Sequence, residues 1–520
     1  MKRLLKRLLS VFLCLTLSAS FAALCFEASA EEDFVTVYVR GSTNIYRFNE
    51  DGSKTALLED RKAVVNAILK ELPYLTAVQS LGLHEVFSER VLEILKPFFD
   101  GYRPSLVDGS VPENSRVDWY WTRETIEDVL SRQTYVEYWL DQRLSPFAQA
   151  ADLNDFIETV KEVSGHQKFY LYARCLGPVA ALTYLHEYQR PKNYEDILGL
   201  QLSYTTHNGM ASTDGAYTGT MHIPKEGMQY WLKVKAETAL DGEVPNEIAP
   251  LIFDLIECVA KSLGVKLTVD WLNWLYEDYK TILIRPVILE YYGRCMNYLA
   301  CVNARFDEMM DYLYPTAQDR ETYGFIIGEV TRYHETVYPD INPMLQELMD
   351  QGKTVLIMAD YGGQQYPTTP ESEYLGDFQV GTSAMSFGAT TSKIWETLDS
   401  SYIAEREALG FGQYISPDKK VDASTCAFPD ITFFISNFDH EWPGKYAGCE
   451  LELLRRPQFN IHSDENVPQF LYWDRENQEL LPLSSVLPQL KEPALPQSFF
   501  EKVAALFRAL IERLKTMFAF

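Results

Sequence analysis

Residues 168–188, KFYLYARCLGPVAALTYLHEY, limit the fold more than any other part of the chain. Phe169, Tyr170, Leu171 and Tyr172 form a continuous apolar run, which predicts a strand buried on both faces. Ala173, Arg174, Cys175, Leu176 and Gly177 follow, and their small residues predict a tight turn. Val179, Ala180, Leu182, Tyr184 and Leu185 then recur at helical spacing. A strand that turns at once into a helix must pack its helix against its own sheet. Ala173 and Gly177 are small enough to let strand and helix meet. Cys175 is expected to project at the apex, above the positive end of the helix.

The rest of the chain supplies more alternation of the same kind. Residues 33–39 alternate and are β-branched, predicting a strand that ends at Arg40, Gly41 and Ser42. Residues 45–48 and 54–57 flank a Gly-containing turn and predict a hairpin. Residues 61–99 read as helices, and a short helix is expected from Trp121 towards Tyr138. Residues 197–204 predict the strand after the helix, which makes a βαβ unit and a parallel sheet. From 225 to 350 helical spacing dominates, and a helical cap over the sheet is expected. KTVLIM at 353–358 and ITFFIS at 431–436 return to buried strands, and another strand is expected at 458–462. The domain reading is therefore 31–224 and 351–480 as two parts of one α/β core, with 225–350 inserted between them.

The ends carry other signals. Lys2, Arg3, Lys6 and Arg7 precede an apolar run to Phe26, and Ala28, Ser29 and Ala30 form a small-residue cleavage site. Residues 1–30 read as a signal peptide removed after Ala30, with export to follow. Leu24 stands before Cys25 where a lipid-attachment box needs a small residue. Residues 481–497 hold Pro482, Pro488, Pro493 and Pro496 and read as a linker. Residues 498–520 read as an amphipathic helix with a Ser498–Glu501 capping box. Its basic face suits peripheral contact with a membrane or envelope, or docking back onto the protein.

Net charge is −26, and removal of the leader makes the remainder more acidic still. Such a chain is not expected to bind nucleic acid. Six cysteines remain after the leader, without a C-x-x-C spacing, and no metal or cofactor is expected. Cys426 with Cys449, and Cys258 with Cys295 or Cys301, are the pairings that spacing allows.

The turn A-R-C-L-G resembles the G-x-S-x-G nucleophile elbow of the α/β-hydrolase superfamily, with Cys in the nucleophile position. SYTTHNG at 203–209 resembles the T-P-H-x-G strand end of secreted bacterial lipases and esterases. GDFQV at 376–380 resembles the acid loop of lecithin–cholesterol acyltransferase-like enzymes. The resemblance covers roughly residues 33–475. It implies an α/β-hydrolase fold with a helical cap and a triad of Cys175, Asp377 and His440, with Asp360 as the alternative acid. His207 is assigned a structural role. The oxyanion hole would use the N–H of Leu176 and one from Gly41 or Ser42. Cys replaces the usual Ser, as in dienelactone hydrolases and polyester synthases of the same fold. Arg174 and Arg40 stand where the family has His, and both are expected to favour a thiolate, or Arg40 to hold a substrate carboxylate instead. The expected activity is cleavage of an ester or thioester, on a small-molecule ester or lipid. The alternatives are an acyltransferase and a catalytically inactive relative that binds an apolar ligand or an envelope component. A thiol–imidazole separation above about 8 Å would favour the binding protein.

Overall fold

The computed structural model describes residues 34–41, 45–48, 54–56, 61–99, 105–113, 115–117, 120–240, 263–394, 396–437, 440, 453–463, 467–477 and 479–488. The signal-peptide and terminal-helix readings, Ser42, Cys258 and Cys449 lie outside them. Within them the chain is an α/β protein with a mainly parallel central sheet between helices.

The sheet has eight strands: β1 (Val35–Val39), β2 (Tyr135–Tyr138), β3 (Phe169–Arg174), β4 (Ile197–Ser203), β5 (Thr354–Tyr361), β6 (Thr432–Ser436), β7 (Phe470–Asp474) and β8 (Glu479–Pro482). Their order is β8-β7-β6-β5-β4-β3-β1-β2, and all run parallel except β8, which is antiparallel to β7. The continuous apolar runs are the central strands. Every residue of β5 is buried, and so are the first five of β3. Strands covered on both faces have no solvent side to alternate towards.

Two layers of side chains fill the space on either side. One joins Val37, Leu171 and Leu200 to the helices α1 (Pro146–Ser164), α2 (Gly177–Tyr184) and α3 (Ile341–Asp350). The other joins Leu356, Met358, Phe434 and Leu471. Local chemistry sets the limits of α1. Ser145 accepts the Ala148 N–H at its start, Pro146 occupies its first turn, and Gly165 ends it at φ 77°. Every residue of α2 is buried, as expected for a helix wedged between the sheet and α1.

A third core lies in the helical part of the chain, where Ile288, Met296, Leu299, Met309, Leu313 and Ile326 pack together. The described residues from Ala211 to Asp350 contain helices and no strand. The last part of the region read as a cap belongs elsewhere. Tyr333, Val337, Ile341, Met344 and Leu348 pack in the sheet's own core. None of these helices is long and apolar enough to cross a membrane.

Several local expectations differ from the structure. The helix expected towards Tyr138 is Arg123–Leu130, and Tyr135–Tyr138 is a strand that pairs with β1. Residues 458–462 form no strand; Gln458 has φ 53° and a short 3-10 turn follows at Ile461–Ser463. The segment read as linker from 481 starts inside β8, and Leu483 beyond it is buried. Proline at an edge strand is compatible with pairing on one side. Among the described residues Cys175, Cys295, Cys301 and Cys426 form no disulfide.

Candidate active site

Cys175 follows the last residue of β3 and sits at φ 58°, a left-handed conformation that few non-glycine residues adopt. The backbone around it is fully engaged. Its N–H bonds the Ser203 carbonyl at 3.1 Å. Its own carbonyl accepts the Thr206 N–H at 3.2 Å and the Thr206 hydroxyl at 3.0 Å. The small residues on either side explain how the turn fits. A Cβ at Gly177 would lie 2.4 Å from the Val39 carbonyl oxygen. A Cβ at Gly41 would lie 2.5 Å from Cys175 Cβ and 3.0 Å from its sulfur. Glycine at 41 and 177 is therefore what lets the end of β1, the thiol and α2 converge.

His440 brings its imidazole to this turn. Nε2 lies 2.9 Å from Cys175 Sγ, and Nδ1 lies 2.6 Å from Asp377 Oδ2. The other carboxylate oxygen, Oδ1, accepts the N–H groups of Gln379 at 2.9 Å and Val380 at 2.7 Å. The His440 N–H bonds the Asp377 carbonyl at 3.2 Å, so acid loop and imidazole are joined through backbone and side chain. Asn437, where β6 ends, is tied to the Tyr472 hydroxyl and the Trp473 carbonyl, both at 2.9 Å. Asp377 is fully buried and Cys175 half-buried.

Burial alone would lower the His440 pKa. The Asp377 charge and then the Cys175 sulfur more than offset it, and hydrogen bonds to both add to the effect, so the pKa rises well above 6.5. The arrangement therefore favours a protonated imidazole between Asp377 and Cys175.

Four non-glycine residues around the site hold positive φ: Cys175 at 58°, Tyr204 at 53°, Phe378 at 74° and Asn437 at 61°. Each costs about 1–3 kcal/mol, and such conformations cluster where geometry serves a site.

The remaining expected residues separate. Asp360 lies in β5, fully buried, and its backbone carbonyl accepts the Thr382 hydroxyl; the carboxylate that meets His440 is that of Asp377. Leu176 is the N-cap of α2, where backbone N–H groups have no partner within the helix. Gly41 lies against the thiol. Arg174 donates to the His440 carbonyl and lies 5.5 Å from the Tyr204 ring. Arg40 does not join them. It pairs with Glu137 at 3.1 Å and stacks 4.3 Å over the Trp139 ring, so its charge is engaged at the far side of β1. His207 is fully buried among Thr205 and Phe387. A cavity of about 980 Å³ lies beside it, lined also by Asn208, Asp214 and Arg305, and excludes Cys175, Asp377 and His440.

Sequence reading missed Thr206, the two acid-loop N–H groups and the reach of Arg174. The T-T pair before His207 was visible, but its bond to the Cys175 carbonyl spans 31 residues. Among the described residues no group of three His, Cys, Asp or Glu is placed to hold a metal ion. Compared with known proteins, the chain matches no family model and no curated protein.

Proposed function

We propose that this chain is an α/β-hydrolase-type enzyme that cleaves carboxylic esters or thioesters through an acyl–Cys175 intermediate. The observation that carries the reading is the continuous contact from Cys175 Sγ through His440 to Asp377, at 2.9 Å and 2.6 Å, at a left-handed turn between strand and helix. A structural thiol needs neither an imidazole nor a carboxylate behind it.

In the proposed reaction the Cys175 thiolate attacks the acyl carbon, and the carbonyl oxygen takes up the negative charge. The N–H groups of Leu176 and of Gly41 or Ser42 receive that charge, each contributing about 3 kcal/mol of transition-state stabilisation. The imidazolium of His440 passes its Nε2 proton to the departing alcohol or thiol, and the carbon–heteroatom bond breaks. Water then attacks the thioester, giving a proton to the now neutral Nε2. Collapse releases the acid and restores the ion pair. Asp377 fixes the tautomer that leaves Nε2 facing the sulfur. Water as acceptor makes the enzyme a hydrolase, and another hydroxyl makes it an acyltransferase.

A thiol–imidazole distance above about 8 Å would favour the non-catalytic alternative; the distance is 2.9 Å. The test is a panel of esters and thioesters of varied acyl length, run on the parent and Cys175→Ala. Turnover and an alkylatable thiol in the parent, both absent from a folded Cys175→Ala, support the reading. Equal turnover in the two proteins removes Cys175 from the chemistry.

A further inference from the structure

Arg174 immediately precedes the thiol, yet its side chain reaches the loop that carries the imidazole. Its Nη2 donates to the backbone carbonyl of His440. The same guanidinium lies among Tyr38, Tyr172 and Tyr204, with the Tyr204 ring at 5.5 Å, and it interacts electrostatically with the Cys175 sulfur. It also donates a hydrogen bond to the Tyr38 oxygen. One planar cation thus touches the backbone of the base and the field of the nucleophile.

Among the described residues, the other restraints on His440 come from a different side. Asp377 holds Nδ1 and the backbone N–H, both from the acid loop. Asn437 ties the end of β6 towards β7. Those contacts fix the imidazole against the acid. They do not fix its distance from β3, on which the sulfur is mounted. Arg174 belongs to β3 itself and supplies that third point.

We propose that Arg174 is a positioning residue that straps the His440 backbone to the nucleophile's own strand and, by its charge, holds Cys175 as thiolate. This rests on the reading of Cys175 as nucleophile. Strap and charge are separable. Lysine retains the charge on a flexible stem without the planar fork, and methionine retains neither.

The experiment follows two signals in the parent, Arg174→Lys and Arg174→Met. One is the pH dependence of Cys175 alkylation by iodoacetamide, which needs no turnover. The other is kcat and KM on an ester that the parent cleaves. Arg174→Met is expected to move the alkylation midpoint upward by at least half a pH unit and to lower kcat at least tenfold with KM within threefold. Arg174→Lys is expected to keep the parental midpoint while kcat stays at least tenfold low. If Arg174→Met does not fold, the Lys variant alone decides. Parental kcat in Arg174→Lys overturns the strap, and a parental midpoint in Arg174→Met overturns the charge role. A parent without turnover strikes the hydrolase reading instead, and the alkylation midpoints still judge the charge.

Discussion

Two cysteine–histidine neighbourhoods stand at the same end of the sheet, and they have opposite characters. Cys175 and His440 are in contact and backed by Asp377. Cys301 and His207 belong to the adjoining region, and Thr206 connects the two, bonding the Cys175 carbonyl and lying 3.3 Å from Cys301 Sγ. The His440 pKa is raised far above 6.5, whereas burial drives that of His207 down to about 3. Burial also pushes the Cys301 thiol well above its usual range. Residue type is the same in both places. The difference is a buried carboxylate within 2.6 Å of one imidazole, against a Thr205 hydroxyl and the Phe387 ring beside the other. Burial without a charge partner keeps an imidazole and a thiol neutral, and burial beside a carboxylate favours the protonated imidazole.

The sharpest way to break this contrast is to remove the partner. Asp377→Asn keeps the shape of the side chain but takes away the charge. The imidazole should then resemble that of His207, with kcat for ester cleavage falling about 10²–10⁴-fold. Steady-state kinetics on a folded variant reads this, and a loss below tenfold would mean the acid is not the source of the difference.

The two histidines should also affect stability with opposite signs. His207 is neutral in the fold, with a pKa of about 3 against 6.5 unfolded. Between those values the unfolded chain binds more protons, so stability falls as pH drops from about 6.5 towards 3, by a few kcal/mol near pH 4. For His440 the folded pKa is the higher. Its contribution is complete below about pH 6.5 and is lost as pH rises through the folded value. Urea unfolding across this range should lose part of its acid limb in His207→Gln and part of its alkaline limb in His440→Gln. The same limb changing in both variants would contradict the assignment.

Smaller effects test the connection between the neighbourhoods. Thr206→Val removes the hydroxyl bond to the Cys175 carbonyl and keeps the N–H bond. A stability loss of about 0.5–1.5 kcal/mol is expected by thermal or urea unfolding. Cys301→Ala should leave thiol alkylation by iodoacetamide at pH 7 unchanged, because burial keeps the Cys301 thiol protonated. A lower label count would place reactivity at Cys301 as well.

Much of this site was legible in the residues because its parts obey local rules. A continuous apolar run, small residues at 173 and 177, and a helical stripe after Pro178 dictate the strand, turn and helix at 169–184. The runs at 354–361 and 432–436 announce buried strands in the same way. The edge of the sheet was harder. β2 is four residues, and β7 and β8 are short pieces whose pairing, not their composition, makes them strands.

The sequence by itself determined that a cysteine would stand at a tight bend between a buried strand and a buried helix. Steric limits on Gly41, Ala173 and Gly177 act over a few residues or across adjacent strands, and composition carries them directly. Only the tertiary structure decided which carboxylate meets the imidazole, that Arg174 reaches the His440 backbone while Arg40 turns to Glu137, and that Thr206 clasps the cysteine carbonyl. Those partners are separated by 63, 266, 97 and 31 positions. Charge and hydrogen bonding act through space, and the register of parallel strands brings such distant positions together.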